Sequence, residues 1–261
     1  MNRWFLSILT LLLLNSIPVL SIYAEGPNTT PKYPSTQSEL NHAAGDQYEQ
    51  ADDKLNDIYN QVLRAYKDEP EFIDKLIDAQ LAWIAFRDAE MEALYPEGKT
   101  RPTKYGSVFP MVYAGEKGRL VWARTRQLSE WLEVPPAEKI AGELGIDYSM
   151  LSQEVAAKEA KRADDTLNEV YKQILVIYGN NQLFIEKLVD SELAWIAFRD
   201  AELEAISAVK DKQVRYGTLS SMAYDIEKAR LTWARVEQLK EWSEGIPEGN
   251  VGAGSRRTRR M

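Results

Sequence analysis

An all-α fold of two tandem three-helix domains is predicted by a domain-sized internal repeat, apolar spacing of helical period in each copy, and turn-forming residues at matching places in both. Residues 51–63, ADDKLNDIYNQVL, return at 163–175 as ADDTLNEVYKQIL, and LAWIAFRDAE at 81–90 returns unchanged at 193–202, both shifted by 112. Tyr105-Gly106-Ser107 then matches Tyr216-Gly217-Thr218, and Leu120, Trp122, Arg124, Gln127, Leu128 and Trp131 match Leu231, Trp233, Arg235, Gln238, Leu239 and Trp242 at a shift of 111. A period of this size far exceeds the roughly 20–50 residues of solenoid repeats, so each copy is expected to carry its own core.

In the first copy Leu55, Ile58, Tyr59, Val62, Leu63 and Tyr66 follow the i, i+3, i+4, i+7, i+8 spacing of one helical face. Thr36 with Glu39 three residues on forms a capping box that starts this helix, which ends near Lys67; in the second copy Ser149 is the expected start. Asp68, Pro70 and Glu71 read as the N-cap, early proline and acidic first turn of a second helix, with Ile73, Leu76, Ile77, Gln80 and Ile84 on its buried face. Gly179-Asn180 makes the same break in the second copy. Tyr95, Pro96, Gly98 and Pro102 stop the second helix, and Ser107 or Thr218 caps a third that runs to Trp131 or Trp242. Each domain is thus expected to be an antiparallel helical hairpin plus a third helix. The expected boundaries are a signal peptide at 1–24, domains at 35–133 and 149–243, a linker at 134–148, and a flexible basic tail at 244–261.

The N-terminal segment sets the compartment. Arg3 precedes an uncharged stretch, Trp4 to Ala24, which reads as a secretory signal cleaved after Ala24; an uncleaved anchor is the alternative, weakened by Asn15, Ser16 and Pro18. Cleavage leaves a periplasmic or secreted protein with no stable membrane insertion. The absence of cysteine excludes disulfides, thiolate metal sites, a cysteine nucleophile and a lipid anchor attached through an N-terminal cysteine. Removing Arg3 takes the formal charge from −8 to −9, and setting aside Arg256, Arg257, Arg259 and Arg260 leaves −13 for residues 25–255. Such a body disfavours nucleic acid and suits a cationic partner, although acidity is also an ordinary device for solubility.

Little in the chain points to catalysis, and no cofactor is implied. Asp52 and Asp53, like Asp164 and Asp165, are adjacent on a helix and diverge by about 100 degrees, which does not aim two carboxylates at one substrate. His42 is the one histidine and has no counterpart in the second copy, so it reads as a surface residue. The sequence holds no H-E-x-x-H, P-loop or dinucleotide fingerprint. Candidate partner-binding residues are Trp83 with Arg87 and Trp195 with Arg199, each pair four apart on a helix, though a clamp of Arg87 to Asp52 or Asp53 within the fold explains them as well. The loops between helices two and three add Lys99, Arg101 and Lys104 in one copy and Lys210, Lys212 and Arg215 in the other, which suit an anionic ligand or cell-wall polymer or are solvated turns.

The string A-D-x-x-L-N-x-x-Y, then Q-x-A-W-I-x-F-R-D-A, then A-R-x-x-Q-L resembles the lysozyme inhibitor LprI-like N-terminal domain family. It is carried by Ala51, Asp52, Leu55, Asn56, Tyr59, Gln80, Trp83, Phe86, Arg87, Asp88, Arg124 and Leu128, and in the second copy by Ala163, Asp164, Leu167, Asn168, Tyr171, Trp195, Phe198, Arg199, Asp200, Arg235 and Leu239, with Glu192 in place of the glutamine. The resemblance implies a small, helical, exported binding protein rather than an enzyme, with a lysozyme-type muramidase as the protein partner. It also implies cysteines near Met91 and Glu116, and near Leu203 and Glu227, which this chain lacks. Cleft-blocking inhibition of a muramidase is the leading expectation; an immunity-like or structural envelope protein that binds another protein or peptidoglycan is the alternative.

Overall fold

The computed structural model of the chain describes residues 33–97, 101–133, 137–210 and 219–259. The expected signal peptide lies outside them. In the first copy the helices are α1 (Gln37–Ala65), α2 (Pro70–Leu94), the short α3 (Arg101–Tyr105) and α4 (Phe109–Ser129). A further short helix, α5 (Ala137–Glu143), precedes α6 (Gln153–Ile177), α7 (Gln182–Ala208) and α8 (Ala223–Ser243) of the second copy. Among the described residues no helix is long and apolar enough to cross a membrane.

The helix ends follow local chemistry, with corrections to the expected caps. Thr36 and Glu39 form the capping box of α1 as expected. The N-cap of α2 is Glu69 rather than Asp68, with Pro70 in the first turn where its missing N–H costs nothing. Ser152, not Ser149, caps α6 by accepting from the Val155 amide; Ser149 instead bonds Asp147 in the preceding turn. Asn181 caps α7 after the Gly179-Asn180 break. Ser107 sits in a 3-10 turn, Gly106–Val108, and does not cap α4.

The all-α class and three long helices per copy stand, but the pairing is not that of a hairpin. Helix α1 packs chiefly on α4, and α6 on α8, while α2 packs chiefly on α7 of the other copy. Asn41 near the start of α1 donates to the Ser107 carbonyl ahead of α4, and the Tyr66 hydroxyl donates to the Trp131 carbonyl beyond its end, so α1 and α4 run parallel. Lys75 pairs with Glu204 while Ser191 donates to Glu90, which sets α2 and α7 antiparallel. The buried face of α2 is Phe72, Leu76, Ala79, Trp83, Phe86 and Glu90, whereas Ile77, expected inside, is exposed.

The copies therefore share a single apolar core. Phe86 stacks on Phe198 between α2 and α7. Arg124 and Arg235, both 0% exposed, reach across: Arg124 pairs with Glu202 at 2.9 Å and Arg235 with Glu90 at 3.0 Å. A second exchange joins Arg119 to Glu241 and Arg230 to Glu130. Each residue of these pairs is the repeat equivalent of its counterpart, so the copies are related by an internal pseudo-twofold. A cavity of about 30 Å³ on that axis is lined by Trp83, Phe86, Leu120, Ala123, Arg124 and Gln127 and by their six counterparts.

The described residues of the expected linker and tail are structured. In the linker, α5 buries Ile140 and Ala141, and Glu143 pairs with Arg230. The tail, expected to be flexible, is fastened across both copies. Ser255 takes the Leu94 and Ala93 carbonyls through its amide and hydroxyl, both at 2.7 Å, and its hydroxyl accepts from the Trp242 indole. Arg256 lies buried between Glu116 and Glu241, and two-residue strands β1 (Ile246–Pro247) and β2 (Thr258–Arg259) pair in parallel. Gly254, at φ +59°, comes so close to Leu94 that a Cβ would lie 2.4 Å from its carbonyl oxygen, which is why only glycine fits. At Glu116 and Glu227, where the resemblance implies cysteines, the chain has ion pairs to Arg119 and Arg230.

Candidate functional site

Helix one of each copy prefers helix three, and helix two prefers its twin, so helices one and two stand apart at the surface. In the second copy the gap between α6 and α7 is a groove of about 420 Å³. Asp164, Leu167, Asn168 and Tyr171 of α6 form one wall; Val189, Glu192, Leu193, Ile196 and Arg199 of α7 form the other. The first wall is the A-D-x-x-L-N-x-x-Y string of the sequence, placed in one line by the helical period. Asp52, Leu55, Asn56, Tyr59, Ile77, Gln80, Leu81, Ile84 and Arg87 hold the same positions in the first copy.

The middle of this face is apolar and open. Leu81 is 61% exposed and Leu193 62% exposed, within the decapeptide that repeats without change. Ile77, Val189 and Ile196 are exposed beside them. The result is an exposed aliphatic stripe flanked by Tyr, Arg and Asn. Burial raises the Tyr59 and Tyr171 hydroxyl pKa values above that of a free phenol, the nearby Glu192 adding to the effect at Tyr171 and Arg124 opposing it at Tyr59, so both are neutral donors at physiological pH. At one end Arg199 pairs with Asp164 at 3.4 Å and with Asp200. The lining of the groove offers apolar area, hydrogen-bonding groups and carboxylates.

The residues expected to meet a partner scatter. Trp83 and Trp195 are each 3% exposed in the seam between the copies, which removes them from any surface; their indoles carry Arg87 at 5.3 Å and Arg199 at 5.2 Å. Arg87 reaches Asp88 at 2.9 Å rather than forming the expected ion pair with Asp52 or Asp53, whereas Arg199 does bridge to helix one at Asp164. Lys104 pairs with Glu97, and Lys210 bonds to Glu69 through its amide and to the Asp68 carbonyl through its ammonium. Lys99, Lys212, Arg215 and the Arg101 side chain lie outside the described residues. His42 is exposed. Sequence reasoning missed Leu81 and Leu193 as surface candidates; the available signal was an outward-facing leucine inside an unchanged repeat.

The model of the family described as Lysozyme inhibitor LprI matches residues 29–128 and 147–239, one segment per copy. No curated protein and no solved structure matches the chain. The matched segments contain both groove walls and end before the tail that fastens the copies together, and on that match the chain belongs to the lysozyme inhibitor LprI family.

Proposed function

We propose that this protein is an exported, non-enzymatic binding protein of the cell envelope that inhibits a lysozyme-type muramidase by covering its cleft. The observation that carries the reading is the groove lined by the repeated string, open and apolar at Leu81 and Leu193, on a body of formal charge −13 over residues 25–255, within an inhibitor family. Apolar contact supplies affinity, and the acidic body steers a basic enzyme onto it. The described loop lysines, Lys104 and Lys210, direct their ammonium groups to the protein's own Glu97 carboxylate and Asp68 carbonyl, which favours a protein partner over a wall polymer.

The test is a titration of residues 25–261 against lysozymes of several types, reading binding and muramidase rate at low and moderate salt. Stoichiometric inhibition that weakens as salt rises is expected. Binding to peptidoglycan fragments with no effect on any muramidase would instead support the alternative of an immunity-like or structural envelope protein.

A further inference from the structure

The first-copy face equivalent to the second-copy groove keeps its apolar character, with Ile77 for Val189, but not its charge. In the second copy Lys228 reaches Asp164 at 2.6 Å and Arg199 lies at 3.4 Å, so that carboxylate is neutralised within the fold. Lys117 is the first-copy counterpart of Lys228, yet its ammonium sits over the Tyr48 ring, 5.0 Å from the centroid. The repeat equivalent of Tyr48 is Ala160, which offers no ring to hold a lysine. Among the described residues no cation comes within ion-pair distance of Asp52, whose side chain takes a 3.4 Å hydrogen bond from Asn56. The floor differs too, with neutral Gln80 where the second copy has Glu192, itself paired to Arg235 at 3.0 Å.

We infer that the first-copy groove is the primary site of partner recognition: Asp52 receives a lysine or arginine of a basic protein partner, whose neighbouring aliphatic side chains cover Leu81 and Ile77. Tyr48 acts as a positioning residue that keeps Lys117 from occupying Asp52. The inference rests on the binding-protein reading and assigns its specificity to one copy. A carboxylate that Arg87 faces without pairing to it, beside an exposed leucine, complements a cationic, apolar segment, whereas the closed Asp164–Lys228 pair must be broken before the second groove can accept one.

The experiment uses methyl- and amide-labelled residues 25–261 and two probes, a helical peptide with one leucine face and one lysine face, and a basic lysozyme. The peptide is expected to shift Leu81 and Asp52 signals at lower concentration than Leu193 and Asp164. Asp52→Asn weakens binding about tenfold, the scale of one charge-assisted contact, and Asp164→Asn does not. Tyr48→Ala, which removes the ring that holds Lys117, frees Lys117 to pair with Asp52 and weakens binding similarly; adding Lys117→Ala restores it, which separates this effect from any change at the neighbouring Arg87. Equal response of both grooves, prior response at Leu193, or no effect of Tyr48→Ala overturns the inference. If the peptide shows the expected pattern and lysozyme does not bind, the groove assignment stands and the muramidase reading fails. If lysozyme binds equally to wild type and all variants, the muramidase reading stands and the groove assignment fails.

Discussion

Phe86 and Phe198, the same position in the two copies, stack with ring centroids 6.1 Å apart and planes 3° from parallel, and each ring carries the other copy's arginine on it: Arg235 lies 5.1 Å from Phe86 and Arg124 5.1 Å from Phe198. The stack lies on the pseudo-twofold, so its loss is felt equally by both copies. Phe86→Ala is expected to cost about 3–5 kcal/mol, the range for a buried aromatic truncated to alanine. Calorimetry should show a single transition in the wild type and a single, lower one in the variant. Two resolved transitions would show copies that unfold independently.

Arg124 and Arg235 differ in one respect that the repeat explains. Arg235 has the Ser191 hydroxyl within 3.3 Å, whereas the repeat equivalent of Ser191 is Ala79, and Arg124 Nη2 is buried without a hydrogen-bond partner. Ala79→Ser, which copies the second-copy residue into the first, should stabilise the protein by about 1 kcal/mol by satisfying that donor. Thermal melts should rise by about 2–4 °C for a chain of this size; a fall would mean that the site has no room for the hydroxyl.

Burial alone would raise the Glu116 carboxyl pKa, but the adjacent Arg119 and Arg256 guanidiniums outweigh it and hold the group below the usual carboxylate range. A depressed folded pKa contributes stability that is fully present above the unfolded value of about 4.3 and lost as pH falls through the folded value. Glu116→Gln is expected to cost about 1–3 kcal/mol at pH 7, where it strips a partner from the buried Arg256 and from the partly exposed Arg119. Urea unfolding of both proteins at pH 7, 4 and 3 should show the gap narrowing as the medium becomes more acid.

Arg256 draws the tail into the structure, reaching Glu116 of the first copy at 2.5 Å and Glu241 of the second. Arg256→Ala should destabilise the whole chain by about 3 kcal/mol and speed hydrogen exchange of the Ser255 amide, which donates to the Leu94 carbonyl. Gly254→Ala should release the same segment for a steric reason. Unchanged exchange in both variants would mean that the tail is held by its other contacts.

Leu81→Ala and Leu193→Ala test the grooves without disturbing the core, since both residues are mostly solvent-exposed. Their stability should stay within about 0.5 kcal/mol of wild type. The double variant should lose at least about tenfold in affinity for an inhibited muramidase. Retained inhibition would place the contact elsewhere.

The helices were legible because apolar period, caps and breaks are local, and the Thr36–Glu39 capping box formed as read. Which face of helix two is buried was only partly legible, because Phe86 and Glu90 are turned inward by Phe198, Ser191 and Arg235 of the other copy, while Phe72 packs on Tyr66 and Trp131 of its own. Arg124 finds Glu202 across 78 residues of chain and Arg235 finds Glu90 across 145, separations at which no spacing rule operates. The Trp83–Arg87 contact was read correctly and its position was not: the stacking is set by four residues of helix, the burial by the partner helix. The tail misled because glycines and arginines are also the composition of a disordered end, and only Glu116 and Glu241, distant in sequence, give Arg256 its place.

The crossing of Arg124 and Arg235 between copies also decides how this chain can be cut or can drift. A protease that severs it between the copies leaves two fragments that still hold each other's carboxylates, so the nicked protein behaves as a heterodimer and needs denaturant to come apart. Inheritance meets the same tie: a substitution at Glu202 is tested at once against an arginine encoded in the other half of the gene. The interior positions of the two halves are therefore held in step, while their grooves remain open to diverge.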